Sequence, residues 1–524
     1  MLRISEWNSQ VVAGDDTYQT TAYDMRLRLV LSDKRVAWLL SAILLGVSVL
    51  VAFLTKSTYD SGDSIHHYLF AKSVLQHPEN LLDSWAKPVF TLLAALPAQS
   101  GFLGMKLYQC VVVAVSAQSA YVVARRLRLP WPALAVLFCY GAPDYFRIQY
   151  SGLTEPTFGL LLIGAVALAV TNRPVWSAAL LSFLPFARSE GAMFLAIWMV
   201  YLVWGRHWRA LPFLLLGYVV YSFVGGLMLG DFTWIFTKNP YGFHSQYGHG
   251  LWSRFVENLP TLLGWPILLF SIVGGLRMLW RATRPAEWRQ PSFRAELLLI
   301  YGSIVAFIFI QSAFWALGLF GSFGMTRVLT VLTPLFAVAA LGGLAWLSQL
   351  GRTARTRNLI ATAGVAAVVF LLFTHDINYW AESGINVGGR STLHWRRDFQ
   401  PAPDMVLADR GANWLKRYNT GYRWHPVAYT HPYFAVPMDV DMFDSTASPP
   451  LTRDWAPYLD GVPMGTYVYW DSWFCPVEAH LPLDMLQKDG RFKQLWRDSI
   501  PVDASRPTGD QFRAVLFEKV KADK

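Results

Sequence analysis

The chain has 524 residues, of which 54% are hydrophobic and only 15% charged, and its formal net charge is +10. Soluble proteins carry about 25% charged residues, so this composition excludes a wholly water-soluble protein. The basic excess does not indicate a nucleic-acid binder, because Lys and Arg fall mostly in short segments between apolar runs, where they act as topology signals.

Residues 1–35 are polar and are expected to be cytoplasmic and disordered. Apolar runs of about 20 residues, the length that crosses a bilayer as a helix, then recur as far as Thr374. They lie near 36–54, 105–124, 131–147, 153–170, 174–186, 188–204, 210–229, 259–280, 295–319, 325–347 and 359–375. The first reads as a signal anchor, since it begins only at Val36. Several runs are short or interrupted by Pro143, Pro156 or Pro185, and 174–186 with 188–204 could form a bent hairpin. From Asp376 the sequence is polar, so 36–375 reads as a membrane domain and 376–524 as a soluble one.

Five basic loops fall on one side under this count: Lys34-Arg35, Arg125 to Arg128, Arg206 with Arg209, Arg277 to Arg294, and Arg352 to Arg357. That side is expected to be the cytoplasm, which puts loops 55–104 and 230–258 and the soluble domain outside. Cys110, Cys139 and Cys475 form no disulfide framework. The tryptophans and tyrosines fit two interfacial belts.

Loop 55–104 is too long for a connector, since ordinary loops run about 4–6 residues. Its Ser64 to Gln76 stretch is amphipathic, and Pro88 to Pro97 reads as a second surface helix. Asp60 and Asp63 are three apart and share a face if the segment is helical. Asp63 is a candidate general base, although it could simply cap the helix that follows; Asp60 could be an ordinary solvated carboxylate. His66 and His67 are candidate contacts to phosphate, or metal ligands together with the aspartates.

Further charges fall at the outer ends of later spans: Asp144 and Arg147, Glu155, Arg188 with Glu190, and Arg327. Charges at membrane depth line a cavity or pair with one another. Arginine suits a phosphate because its planar fork donates in pairs, so Arg327 and Arg188 are candidates for a lipid-linked phosphate, with Lys87 reaching in from the loop. His244 and His249, in the aromatic and glycine-rich stretch Tyr241 to Gly250, are candidate contacts to sugar or acceptor. In the soluble domain a helix is expected near Asp404 to Tyr418, with strands near Pro426 to Tyr429, Gly465 to Trp470 and Phe512 to Phe517. Trp470, Asp471, Trp473 and Glu478 could contact sugar or simply pack.

With these residues the chain resembles the GT-C superfamily of membrane glycosyltransferases, in particular its polyprenyl-phosphate-sugar-dependent branch, which includes protein O-mannosyltransferases and aminoarabinose transferases. Asp63 matches the family's aspartate that opens a juxtamembrane helix, with His67 where an aromatic is often found. Ala71-Lys72 matches its small–basic pair, and Lys87-Pro88 its lysine–proline motif, whose lysine contacts donor phosphate. Gly324-Met325-Thr326-Arg327 through Pro334 is similar to a late segment in which a basic residue opens a span. Two departures stand out: Ser64 occupies a position where many relatives have glutamate, and only one proline follows Lys87.

The resemblance, which covers roughly 36–380, implies a polytopic all-α GT-C fold of about eleven spans with an extracytoplasmic mixed α/β domain. It implies a hexosyl- or pentosyltransferase moving one sugar from a polyprenyl-phosphate donor to a glycolipid, polysaccharide or protein hydroxyl, with inversion. The outward-facing catalytic side and the absence of a eukaryote-specific signal favour a bacterial inner membrane, the orientation alone also permitting the endoplasmic reticulum. Asp63 would be the base, with Asp60 as the alternative. No cofactor is obligatory, because phosphate is already a good leaving group, though a divalent metal remains open. The alternatives are a lipid-linked oligosaccharide transferase or polymerase, and a polyprenyl-sugar transporter or flippase. The last predicts two similar halves, and no such repeat is visible.

Overall fold

The computed structural model describes residues 12–238, 240, 242–374, 400–454, 456–501 and 511–523. The stretch expected to be disordered is helical from Val12, because α1 (Val12–Leu54) runs through it into the apolar segment Asp33–Leu54. A helix already nucleated by an apolar span extends at one hydrogen bond per added residue.

Among the described residues five helical segments are long and apolar enough to cross a membrane: Asp33–Leu54, Gly101–Arg126, Trp208–Leu229, Pro291–Leu317 and Thr326–Ser348. A pair bent by 118°, Arg254–Leu263 with Trp265–Ala282, adds a sixth if it is one span. The runs at 131–147, 153–170, 174–186 and 188–204 are present as shorter helices, and 359–375 falls in the helix Ala354–Thr374; proline explains most of the breaks. The run at 131–147 divides at Pro143 into α5 (Leu134–Gly141) and α6 (Pro143–Ile148). Pro156 lies in the first turn of α7 (Glu155–Val170), where its missing N–H costs nothing. The 174–204 region folds as Pro174–Leu181, Leu184–Ala187, a 3-10 turn Ser189–Gly191 and Ala192–Trp204, which is the bent arrangement allowed by Pro185. The molecule is a polytopic, mostly helical membrane protein.

Thr326–Ser348 is the axis of the bundle, buried throughout its most apolar stretch. It packs on Trp265–Ala282 through Gly343 and Gly274. A Cβ at Gly343 would stand 1.9 Å from the Phe270 carbonyl oxygen, and one at Gly274 2.3 Å from that of Ala339. Small residues let membrane helices approach this closely, and the gain is van der Waals contact where no hydrophobic drive operates.

Outside the spans, α2 (Asp63–Ser73) and α3 (Pro88–Ala98) pack side by side, joined by α4 (Gly101–Arg126) to the bundle. The C-terminal domain, expected from the sequence to be soluble, has a long helix, Pro403–Tyr418, whose Leu407, Ala408, Ala412 and Leu415 cover one sheet face. Its strands are β1 (Val427–Tyr429), a small ribbon β2 (Thr452–Arg453) and β3 (Ala456–Pro457), then β4 (Tyr467–Asp471), β5 (Phe492–Pro501) and β6 (Gln511–Lys519). The main sheet has the order β1-β4-β6-β5, parallel only at β1–β4. This domain sits on loop 55–104. Ala435 joins the core formed by Ile65, Tyr68 and Phe90, the Phe70 and Phe443 rings meet at 4.7 Å, and His77 Nε2 lies 2.8 Å from Asp441 Oδ2.

Candidate active site at one end of the bundle

The turn Thr58–Gly62 leads from α1 into α2 and is shaped by its own polar groups. Tyr59 has φ +68, a left-handed conformation costly for a tyrosine. Asp60 Oδ1 accepts from the Gly62 N–H at 2.8 Å and from the Ser64 N–H at 3.3 Å, so Asp60 is the carboxylate that caps α2. Asp63, the residue that sequence left open as a cap, makes no such bond. It stands in the first turn of α2 with its side chain 41% exposed. Ser64 is fully buried: its hydroxyl donates to Thr58 O at 2.8 Å and accepts from the Gly152 N–H at 2.7 Å. A Cβ at Gly152 would lie 2.1 Å from Ser64 O. The Ser64 hydroxyl is thus enclosed between the Thr58 carbonyl and the Gly152 N–H.

The charged residues at the span ends converge. Arg327 opens the axial segment on the 3-10 turn Thr326–Leu332, where α7 comes close because Gly159 has no Cβ to meet Val331 O. Its Nη1 is 2.5 Å from Asp60 Oδ2, its Nη2 pairs with Asp63 Oδ2, and its Nε lies 3.7 Å from Glu155 Oε1. Glu155 Oε1 also pairs with Arg188 Nη1 at 2.8 Å, and Arg188 Nη2 reaches Glu190 Oε1 at 3.1 Å. Sequence reasoning assigned Arg327 and Arg188 to a phosphate; here they are held on carboxylates. Arg327 and Glu155 are buried, so the network carries a large desolvation cost that only mutual pairing offsets.

Lys87 is also left-handed, φ +70, and buried. The turn before it is fixed by Asp83 Oδ1, which accepts from the N–H groups of Trp85 at 2.8 Å and Ala86 at 2.7 Å. Lys87 Nζ donates to Ser84 O at 3.0 Å and Ser189 Oγ at 3.4 Å, which places it beside the Arg188–Glu190 segment. Burial pulls its pKa down to about 8, with Glu190 opposing and Arg188 assisting. His67 stacks on Trp85 with ring centres 4.7 Å apart, and His66 meets the same indole edge-on at 5.3 Å. Burial lowers His66 to about 4 and His67 well below its ordinary value, with Lys87 and Arg188 adding to the effect on His67. Both rings are therefore neutral at pH 7 and offer hydrogen bonds, not charge.

Asp144 and Arg147 join the site through Tyr59, whose hydroxyl donates to Asp144 at 2.9 Å and whose ring lies 5.7 Å from the Arg147 guanidinium. His244 and His249 are exposed, and His244 forms an isolated bridge with Leu319. From the same loop it is Tyr247 that reaches the site: its hydroxyl is 3.4 Å from Glu478 Oε2, and Asp63 is near enough to act on both groups. Among the described residues no three His, Cys, Asp or Glu side chains are grouped to hold a metal ion. Trp85, Tyr247 and Ser61 were missed by sequence reasoning. Only Trp85 left a signal, an aromatic two residues before Lys87.

This architecture is shared with solved structures of ArnT. The crystal structure of ArnT from Cupriavidus metallidurans in the apo state is similar, with a TM-score of 0.53 at 12% identity, covering 91% of this chain and 97% of that one. The structure of the same enzyme bound to undecaprenyl phosphate matches with a TM-score of 0.50 at 13% identity and the same coverage. No family model matches the sequence, and no curated protein does.

Proposed function

We propose that the protein transfers a single sugar from a polyprenyl-phosphate donor to an acceptor hydroxyl at the outer face of a bacterial inner membrane. The observation that carries this reading is the convergence of Asp60 and Asp63, Lys87, Glu155, Arg188 with Glu190, and Arg327 at one end of an apolar bundle. The undecaprenyl phosphate held by the similar ArnT structure supports a polyprenyl lipid here too.

In this chemistry Asp63 takes the proton of the acceptor hydroxyl as its oxygen attacks the anomeric carbon. The bond from that carbon to the phosphate oxygen breaks, and the lipid phosphate leaves with the bonding pair. Attack opposite to departure inverts the centre. Lys87, Arg188 and Arg327 meet the developing negative charge, which is where preorganised donors contribute most. Asp60 holds the turn and Arg327 in place, while Trp85, braced by His67, offers a flat face to the sugar. Asp144, Arg147, Glu155, Glu190, His66, His244 and His249 remain proposed substrate contacts or supports. The acceptor is a glycolipid, polysaccharide or protein.

The test uses purified protein and a panel of radiolabelled polyprenyl-phosphate sugars, comparing the parent with Asp63→Asn. One donor should release or transfer label with the parent, and the variant should lose about 10²-fold or more of that turnover while still binding donor. Equal turnover by both proteins removes Asp63 from the role of base. Label moved only from a diphosphate-linked oligosaccharide would establish the oligosaccharide-transfer reading instead.

A further inference from the structure

The C-terminal domain reaches the turn that carries Asp60 and Asp63 with a buried polar pair. Asp404 Oδ2 accepts from Ser61 Oγ at 2.6 Å and lies 3.1 Å from His431 Nε2, while its Oδ1 accepts from the Met405 N–H at 3.0 Å. His431 is fully buried, and its Nδ1 accepts from the Tyr433 N–H at 3.3 Å. With Nδ1 an acceptor, the ring hydrogen of neutral His431 is on Nε2 and is donated to Asp404.

Two more contacts reach the same turn. Thr58 Oγ1 donates to Met405 S at 3.3 Å. A Cβ at Gly62 would meet the Phe474 ring at 3.2 Å, and that ring lies 4.5 Å from His431. Phe474 is fixed in turn by Asp471 Oδ1, which accepts from the N–H groups of Trp473 at 2.9 Å and Phe474 at 2.6 Å. A carboxylate buried and hydrogen-bonded on both oxygens holds its partners strongly, and removing one partner leaves a buried group unsatisfied.

We infer that Asp404 and His431 are positioning residues, which set the attitude of Asp63 by gripping Ser61 of the preceding turn. The C-terminal domain is on this reading a structural part of the catalytic centre. The inference rests on Asp63 being the base, but the grip itself can be tested without that assumption.

The experiment uses full-length protein in detergent and follows hydrogen–deuterium exchange of the 58–66 segment in Ser61→Ala, Ser61→Thr and Asp404→Asn, with thermal unfolding of each. Ser61→Ala and Asp404→Asn should speed exchange there about tenfold, the size of one charge-assisted hydrogen bond, while exchange across β4 and β6 stays at the parent rate. Ser61→Thr, which keeps the hydroxyl, should restore protection. With whichever polyprenyl-phosphate sugar the parent turns over, kcat should fall in Ser61→Ala with KM within twofold, and undecaprenyl phosphate should bind as to the parent. Unchanged exchange at 58–66 in Ser61→Ala overturns the inference. So does faster exchange that spreads over the whole C-terminal domain, since that marks a merely structural bond. A parent that turns over no donor refutes the proposed function, and the exchange data still decide the grip.

Discussion

Lys87 is the residue whose state is set most directly by its surroundings. Burial holds its pKa at about 8, far below an exposed lysine. The ammonium is therefore present at pH 7 and lost as pH rises through 8. In the proposed reaction the free enzyme meets the donor phosphate with that charge, so kcat/KM should decline about tenfold per pH unit above 8. Lys87→Arg, which keeps its charge throughout, should remove the decline, and a pH profile of initial rates on the two proteins checks both. The sequence showed the lysine and its proline, but not this pKa, which depends on the burial of the amine and on Glu190 and Arg188 acting on it from a different loop. Nor did it show the partners of Arg327. Charges at span ends indicate a polar cluster, and which charge touches which depends on side-chain reach across turns 267 and 264 residues apart.

At the scale of elements, local pattern was a good guide where burial is one-sided. Helices at α2, α3 and Pro403–Tyr418 lie where amphipathic spacing puts them, and β1, β4 and β6 follow apolar runs. β5 left no such signal because it is an edge strand in which only Phe492 is buried. The crossing between Thr326–Ser348 and Trp265–Ala282 was equally hidden, since glycine spacing does not say which helix will fill the gap. It yields a firm expectation. Gly343→Leu drives a side chain into the Phe270 carbonyl, and overpacking of this kind costs about 1–3 kcal/mol or more. The variant should show a lower thermal midpoint in detergent, whereas Gly275→Leu, where a Cβ meets nothing within 4 Å, should not.

For the molecule as a whole, the seam between loop 55–104 and the C-terminal domain decides how far the two act together. The Ser61–Asp404 contact spans 343 positions, which is why neither the seam nor its chemistry was legible in the sequence. At its rim, His77 bonds to Asp441, and this bond, with the nearby Glu79, raises its pKa above the ordinary 6.5 despite slight burial. A raised histidine contributes fully below its unfolded pKa, and the contribution is lost as pH climbs through the folded value. The thermal midpoint should therefore ease downward as pH rises above the ordinary 6.5 in the parent, and His77→Gln should flatten that slope. Because the pair is partly exposed, the effect is small and salt weakens it.

The clamp of Arg327 across Asp60 and Asp63 also bears on waste. The guanidinium occupies Asp63 Oδ2, so before the donor arrives that oxygen is not free to orient a water. Under the proposed chemistry the departing phosphate draws the same guanidinium toward its growing charge, and Asp63 is unmasked as the sugar moves. One ion pair would then restrain idle hydrolysis of a costly lipid precursor and free the base for the acceptor that is meant to receive it.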